Sequence, residues 1–419
     1  MPWPLALYAG ATRLIEPWAP GLLEARARKG KEDPERLGER LGRASKPRPA
    51  GRLAWLHGAS VGESLSLLPL VEAIQRRRPE VSILVTSGTV TAARLLSQRL
   101  PGGVLHQFAP VDGPQATARF LDHWRPDLAV RVESELWPNL LLATRRQGAR
   151  MALLSAKLSE SSFRGWSRLP HSAKALFASF DLVLAQDTLA AGRLTALGAR
   201  VEGLADLKFG AAPLPANAAA LDALKAEIGA RPVILAASTH PGEDELVLDA
   251  FTGFAATAER PLLVIVPRHP ERGPQIARLA NARLGAASLR SAGEPIGESP
   301  VHVADTLGEL GLWFRLARLA VIGGGFAPDV GGHNPLEPAR LSCPLVSGPH
   351  VENWATAYAD LAEAGAGGVI KGEDLKDCLQ AALAGRPTLA DRATKAQAYV
   401  EARDVEARAA LVRVLELLP

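Results

Sequence analysis

His57-Gly58-Ala59-Ser60-Val61-Gly62-Glu63 sets a hydroxyl and a carboxylate three residues apart behind a glycine turn. In the first turn of a helix, where the macrodipole favours the ionised form, Glu63 could take a proton from a substrate hydroxyl; the same place suits a helix-dipole partner with no chemistry. Glu133 and Glu135, in Arg131-Val132-Glu133-Ser134-Glu135-Leu136-Trp137-Pro138-Asn139, are paired carboxylates of the sort used for acid/base work. They could equally cap the helix that follows, pair with Arg131, or position a sugar. Arg268, between Pro267 and His269, offers a planar fork of donors suited to phosphate or carboxylate. Ser238, Thr239 and His240 add two hydroxyls and an imidazole, with helix capping as the plain alternative.

The densest stretch is Val321 to Pro338, VIGGGFAPDVGGHNPLEP. Gly323, Gly324 and Gly325 would let the backbone leave a short buried strand tightly and approach a ligand without side chains in the way. Asn334 can cap the next helix, with Pro335 in its first turn and Glu337 just inside. Such a helix start presents free backbone N–H groups to a phosphate, and the Glu337 carboxylate could accept hydrogen bonds from ribose hydroxyls. A run of three glycines alone would be an ordinary connection. With His333, Asn334 and Glu337 beside it, the stretch reads as a nucleotide-sugar pocket.

These groups need a scaffold, and the apolar pattern supplies one. Leu53 to Leu56, Val81 to Thr86, Leu128 to Val132, Ala152 to Leu154 and Leu182 to Ala185 are expected as strands, with helical stretches such as 67–78 and 115–124 between them. A second series, Val233 to Ala236, Leu262 to Val266, Val301 to Val303, Leu319 to Ile322 and Leu345 to Val346, alternates with helices over 243–256, 308–317 and 354–364. Alternation of this kind builds doubly wound α/β domains, which bind ligands at the carboxyl ends of their strands. The Pro- and Ala-rich segment Ala211 to Ala220 is the expected linker. The resulting division is a segment 1–45, a domain 46–210 and a domain 211–419 whose last helix is free to return to the first.

Composition narrows the class. The chain has 419 residues and a formal charge of only +4, with 5% aromatic residues, so nothing marks a nucleic-acid-binding surface. Cys343 and Cys378 have neither a metal-ligand spacing nor the density of a disulfide framework. There is no D-x-D sequence to hold a divalent metal. Residues 1–23, MPWPLALYAGATRLIEPWAPGLL, combine aromatics with an apolar stretch and are followed by Arg26, Arg28, Lys29 and Lys31. That order suits a segment lying in a bilayer interface, and it also suits a helix packed on the protein's own surface.

Taken together, RLGERLG (36–42), HGASVGE, ESELWPN, LKF (207–209), ASTHPGE, VPRHPER, DTLGEL (305–310), GGHNPLEP and GPH (348–350) closely resemble the 3-deoxy-D-manno-octulosonic acid (Kdo) transferases of lipopolysaccharide synthesis, over nearly the whole chain. The resemblance implies a GT-B fold, two Rossmann-like domains with an interdomain cleft. It implies an inverting glycosyltransferase that moves Kdo from cytidine monophosphate-Kdo (CMP-Kdo) to lipid A precursor, at the cytoplasmic face of the inner membrane, without a cofactor or metal. By its place in SVGE, Glu63 takes the role of catalytic base. Arg268, Gly324, Gly325, Asn334 and Glu337 become donor-binding residues, with Ser238 and Thr239 close by and Lys208 helping to neutralise the leaving group. Ser60, Glu133, Glu135 and Lys157 fall to the acceptor side or to structure.

The chain departs from the family pattern at Lys157, where an Arg is usual, and at Asp206 and Gly210, which stand in place of an amide and a carboxylate around LKF. Thr86 to Ala92 also differs from the usual loop. Two other readings accompany the first. One keeps the fold and changes the sugar-nucleotide donor or the acceptor. The other is a weakened relative that binds sugar-nucleotide or lipid A without turning it over.

Overall fold

The computed structural model describes residues 1–210 and 212–419, so Ala211, the first residue of the expected linker, lies outside the described residues. The chain divides into two units, Met1–Ala211 with Arg403–Pro419, and Ala212–Ala402. The segment 1–45 groups with the first unit, and the last helix, Pro387–Glu416, spans the division.

In the first unit the strands are β1 Leu53–His57, β2 Ser82–Ser87, β3 Leu105–Phe108, β4 Leu128–Val132, β5 Arg150–Ala156 and β6 Leu182–Ala185. They pair in parallel in the order β3-β2-β1-β4-β5-β6. Every residue of β1 and β4 is buried, as expected of parallel strands covered on both faces. Alternate residues serve opposite faces: Ala54, Leu56, Val130 and Leu154 pack in one cluster, Leu53, Trp55, Ala129 and Met151 in the other. The helices between start on residues suited to it. Ser60, Thr89, Ser159 and Asp187 each accept a backbone N–H at a helix start, and Pro114 and Pro138 open two others.

The second unit holds β7 Val233–Thr239, β8 Leu262–Pro267, β9 Ala287–Leu289, β10 Val301–Val303, β11 Leu319–Ile322, β12 Leu345–Ser347 and β13 Gly368–Val369. Their order is β13-β12-β11-β7-β8-β10-β9, again parallel. The expected linker is shorter than 211–220, because Asn217 Oδ1 accepts the Ala220 N–H and starts a helix over Ala218–Ile228.

Both sheets wind outward from a central pair of strands, β1 with β4 in one and β7 with β11 in the other. At such a switch point the loops leaving the two strands diverge and open a crevice. Ser60 and Glu63 follow β1, Glu133 and Glu135 follow β4; Ser238 and Thr239 close β7, and Gly323 to Gly325 follow β11. The topology thus brings these residues to the switch point of each sheet.

The N-terminal helices, Trp3–Ile15 and Ala19–Ala27, do pack on their own unit. Leu5 and Leu23 are buried, Tyr8 Oη donates to Asp112 Oδ2 at 3.1 Å, and the Glu16 carboxylate accepts the N–H groups of Gln115 and Ala116. The other face is apolar and bare: Trp3, Leu7, Leu14, Ile15, Trp18 and Leu22 are each more than 60% exposed. Among the described residues no helix is long and apolar enough to cross a membrane.

Candidate active site

Glu63 stands at the third position of the short helix Val61–Ser66 and reaches back to its start. Ser60 Oγ donates to Glu63 Oε1 at 2.8 Å and the Ala59 N–H to Oε2 at 2.9 Å, while the Glu63 N–H points at Ser60 Oγ at 3.3 Å. Ser60 thus caps the helix while the Glu63 carboxylate ties down the turn before it, and each carboxylate oxygen keeps a further lone pair. The turn closes this tightly because residue 58 is glycine: a Cβ there would lie 2.8 Å from the Glu63 carbonyl carbon. Burial pushes the Glu63 pKa up, against the pull of the Ala59 and Ser60 hydrogen bonds, and the charges of Glu133 and Glu135 push the same way. A carboxylate with a raised pKa that still ionises is the better proton acceptor.

Glu63 lines a cavity of about 360 Å³ together with Ser60, His57, Arg40, Arg131 and Glu135, among others. His57 is buried at the end of β1. Thr86 Oγ1 accepts from Trp55 Nε1 at 2.8 Å and lies 2.8 Å from His57 Nδ1; in the tautomer where the Thr86 hydroxyl donates to Nδ1, the imidazole hydrogen sits on Nε2. Nε2 is 3.9 Å from Glu135 Oε2, beyond hydrogen-bond reach. Burial, reinforced by Arg131, lowers the His57 pKa to about 4, so the ring is neutral at pH 7. Glu135, hydrogen-bonded by Trp137 Nε1, is held below the usual carboxylate range despite burial by His57, Trp137 and Arg131.

Glu133 does different work. Its carboxylate is gripped by Lys208 Nζ at 2.9 Å and Lys157 Nζ at 2.7 Å. Burial would raise its pKa, but the two ammonium groups hold it low, so it stays ionised. Lys208, expected on the donor side, belongs to this first-unit cluster. Glu133 and Ser155 adopt φ of 62° and 48° at the carboxyl ends of β4 and β5, and Ser238 does the same at 59° on β7. Left-handed backbone on non-glycine residues is uncommon and costs conformational energy; Arg125, Arg260 and Ser342 are the other described cases.

In the second unit the glycine turn after β11 is held from below by Glu243. Its buried carboxylate accepts the N–H groups of His240 at 2.9 Å, Gly324 at 2.7 Å and Phe326 at 2.9 Å, tying the β7 loop to the β11 loop. Gly324 has φ 72°, and a Cβ on Gly325 would come within 2.2 Å of Ser347 Oγ, so both positions require glycine. Above the turn, His240 Nε2 and His333 Nε2 are 2.8 Å apart with the rings stacked. Burial, helped by His240 and Arg268, lowers the His333 pKa to about 4.

Asn334 Oδ1 accepts the Leu336 N–H at 2.9 Å and its amide donates to Glu337 Oε1 at 3.3 Å, a five-residue helix following over Leu336–Arg340. Burial raises the Glu337 pKa. The Arg268 guanidinium is exposed and makes no hydrogen bond or ion pair among the described residues; only its backbone N–H is engaged, by Thr239 O. Thr239 Oγ1 donates to Asp244 Oδ1 at 2.6 Å, whereas the Ser238 side chain, partly exposed, has no such partner among the described residues.

The first unit therefore gathers Ser60, Glu63 and Glu135 on one cavity, with Glu133, Lys157 and Lys208 as a separate ion cluster. The second gathers Ser238, Thr239, Gly324, Gly325 and Asn334 around the β7 and β11 ends. Sequence reasoning did not single out His57, Arg40 or Glu243 for a role. For His57 and Glu243 the signal was present: each stands in a motif at a strand end, and a glutamate behind an apolar strand and a Pro-Gly turn is available to cross-link backbone N–H groups.

The N-terminal family model described as "3-Deoxy-D-manno-octulosonic-acid transferase (kdotransferase)" matches residues 35–211. The chain is 32% identical to the 3-deoxy-D-manno-octulosonic acid transferase of Haemophilus influenzae, over 92% of this chain and 91% of that one. It is 34% identical to the probable mitochondrial 3-deoxy-D-manno-octulosonic acid transferase of Arabidopsis thaliana, over 83% and 80%. Among solved structures it resembles the UDP-GlcNAc 2-epimerase of Neisseria meningitidis, with a TM-score of 0.58, 12% identity, and coverage of 87% of this chain and 99% of that one. The last is a likeness of fold, the GT-B fold.

Proposed function

We propose, from the premise that this chain belongs to the 3-deoxy-D-manno-octulosonic acid transferase family and is a glycosyltransferase, that it moves Kdo from CMP-Kdo to a hydroxyl of lipid A precursor with inversion at the anomeric carbon. The observation that carries this reading is Glu63: buried, raised in pKa, and set on the wall of the cavity at the switch point of the first sheet. Its carboxylate takes the proton of the acceptor hydroxyl as that oxygen attacks the anomeric carbon, and the bond to the cytidine monophosphate oxygen breaks. The cytidine monophosphate leaves with the bonding electrons, and the work of the protein is positioning and charge stabilisation.

Donor recognition falls to the second unit. Arg268 supplies an unengaged guanidinium for the phosphate, the Glu243-braced glycine turn lets the nucleotide approach the backbone, and Glu337 receives ribose hydroxyls. A monophosphate leaving group asks for less countercharge than a diphosphate, so cationic side chains take the place of a metal in this reading. The bare apolar face of the N-terminal helices, flanked by Arg26, Arg28, Lys29 and Lys31, lies on the inner membrane's cytoplasmic surface, where the acceptor resides.

The test is turnover by the purified chain. Release of cytidine monophosphate from CMP-Kdo that depends on lipid A precursor, with a Kdo-bearing lipid as product, is the expected result. Product that retains the donor's anomeric configuration, or no acceptor-dependent release at all, would overturn the reading.

A further inference from the structure

Arg131 is the most unusual side chain of the first unit. It is 1% exposed, yet no carboxylate lies within ion-pair distance of it among the described residues. Nη1 reaches only the Glu135 carbonyl at 3.4 Å, and Nε and Nη2 have no hydrogen-bond partner. Those two nitrogens form one edge of the guanidinium and donate in parallel, which is the geometry that meets two oxygens of a carboxylate or phosphoryl group. The plane is fixed, since the guanidinium lies over the Trp55 indole at 5.1 Å. On the same cavity His57 Nε2 is also without a hydrogen-bond partner among the described residues, and in the tautomer that carries the proton there it is a second donor.

A hydroxyl or a water could satisfy these N–H groups, but Glu135 and Asp112, the nearby carboxylates that favour the Arg131 charge, do not offset the cost of its burial, which an anion on that edge would reduce. The other charges on the cavity do not fill the gap. Arg40 already faces Glu32 at 3.2 Å, the Glu63 oxygens accept from Ala59 and Ser60, and Glu135 accepts from Trp137 Nε1 and meets Arg131 within hydrogen-bond distance only through its carbonyl.

We infer that the edge of Arg131, with the N–H of His57, is a subsite for a compact oxyanion, a phosphoryl or carboxylate group, held beside Glu63. The inference rests on the acceptor reading of this cavity and deepens it: an acceptor that carries such an anion is anchored by it while Glu63 faces its hydroxyl. Because the donor nitrogens are closed off from solvent, the anion displaces part of the wall as it enters. Arg131 then acts as a specificity-determining residue for the acceptor and takes no part in the proton transfer.

The experiment compares wild type with Arg131→Met and Arg131→Lys. Melting is followed in inorganic phosphate against chloride at equal ionic strength, and steady-state rates are measured with lipid A precursor and with the same lipid after phosphatase treatment. Wild type is expected to gain a saturable stabilisation from phosphate. In Arg131→Met that gain disappears while the melting point in chloride does not fall, because a buried unpaired charge has been removed.

The acceptor KM should rise about 10-fold to 100-fold, the worth of charge-assisted hydrogen bonds, with the CMP-Kdo KM kept. Phosphatase-treated lipid should show no difference between the two proteins. Loss of the phosphate gain without a change in acceptor KM would assign the subsite to a free anion. If Arg131→Met does not fold, Arg131→Lys decides, since it keeps the charge and loses the fork: a weakened phosphate response supports the subsite. Wild type without a specific phosphate response, or variants that respond like it, overturns the inference. The melting arm needs no turnover, so it reads the subsite even where the transferase assay fails.

Discussion

Replacing Glu63 by Gln separates two roles that the structure superimposes on one carboxylate. The amide can still accept the Ala59 N–H through its oxygen and can turn its NH2 toward Ser60 Oγ, so most of these local hydrogen bonds survive. The stability loss from imperfect capping is about 1 kcal/mol or less. Loss of a general base instead lowers turnover by about 100-fold to 10,000-fold, roughly 3 to 5 kcal/mol in the barrier, while donor affinity holds.

The two effects differ enough for one variant to decide, with rates of cytidine monophosphate release, CMP-Kdo binding and melting measured side by side. pH adds a second axis. The folded pKa of Glu63 is raised by burial, so its contribution to stability is present at low pH and lost as pH rises through the folded value. The melting difference between Gln and Glu should therefore shift in favour of Gln as pH rises. The acid limb of the rate profile, displaced above the ordinary glutamate range, should vanish in the variant. Turnover near the wild-type rate, with only a small drop in melting point, would refute the assignment of Glu63 as base.

Arg268→Lys keeps the charge and loses the fork; about 10-fold weaker CMP-Kdo binding with an unchanged melting point is expected from titration calorimetry, and unchanged affinity would take Arg268 out of the donor site. Trp3→Ser with Trp18→Ser changes two exposed side chains, so stability should move by about 0.5 kcal/mol or less per site while sedimentation with anionic vesicles falls sharply. His57, His106, His302 and His333 are all lowered by burial to about 4. Each is protonated more readily unfolded than folded, so stability should fall as pH drops from about 6.5 toward 4, which urea titrations at pH 7 and pH 5 would register as a lower midpoint. An unchanged midpoint would mean that the rings are charged in the folded chain.

The legible part of the fold was its buried part. Leu128–Val132, Leu182–Ala185, Val301–Val303 and Leu319–Ile322 were readable to the residue because strands covered on both faces are unbroken apolar runs. The three strands that were not foreseen, β3, β9 and β13, are all at sheet edges. They are short and only partly buried, LHQF, ASL and GV, and an edge strand owes its pairing to one neighbour rather than to an apolar pattern of its own.

The site divided along similar lines. Residues acting through their own short-range motif, such as Ser60 with Glu63 or Asn334 with Glu337, could be paired from spacing alone. The orphaned edge of Arg131 could not, because it depends on what is missing around a buried guanidinium, and no spacing records that. Nor could the Glu243 link to Gly324, which joins positions 81 residues apart.

The division of the chain also dictates an order of assembly. Ala410, Val414, Leu415 and Leu418 fill the same core cluster as β1, β2 and β4 of the first sheet, yet they follow the whole of 212–402 along the chain. At about 5 to 20 residues per second, a ribosome takes roughly 10 to 40 s to make that intervening stretch. The nascent first unit waits through that interval with one side of its apolar core unfilled, while the second unit is complete in sequence first. A stop codon placed just before Arg403 should therefore yield an insoluble product even though both sheets are encoded in full.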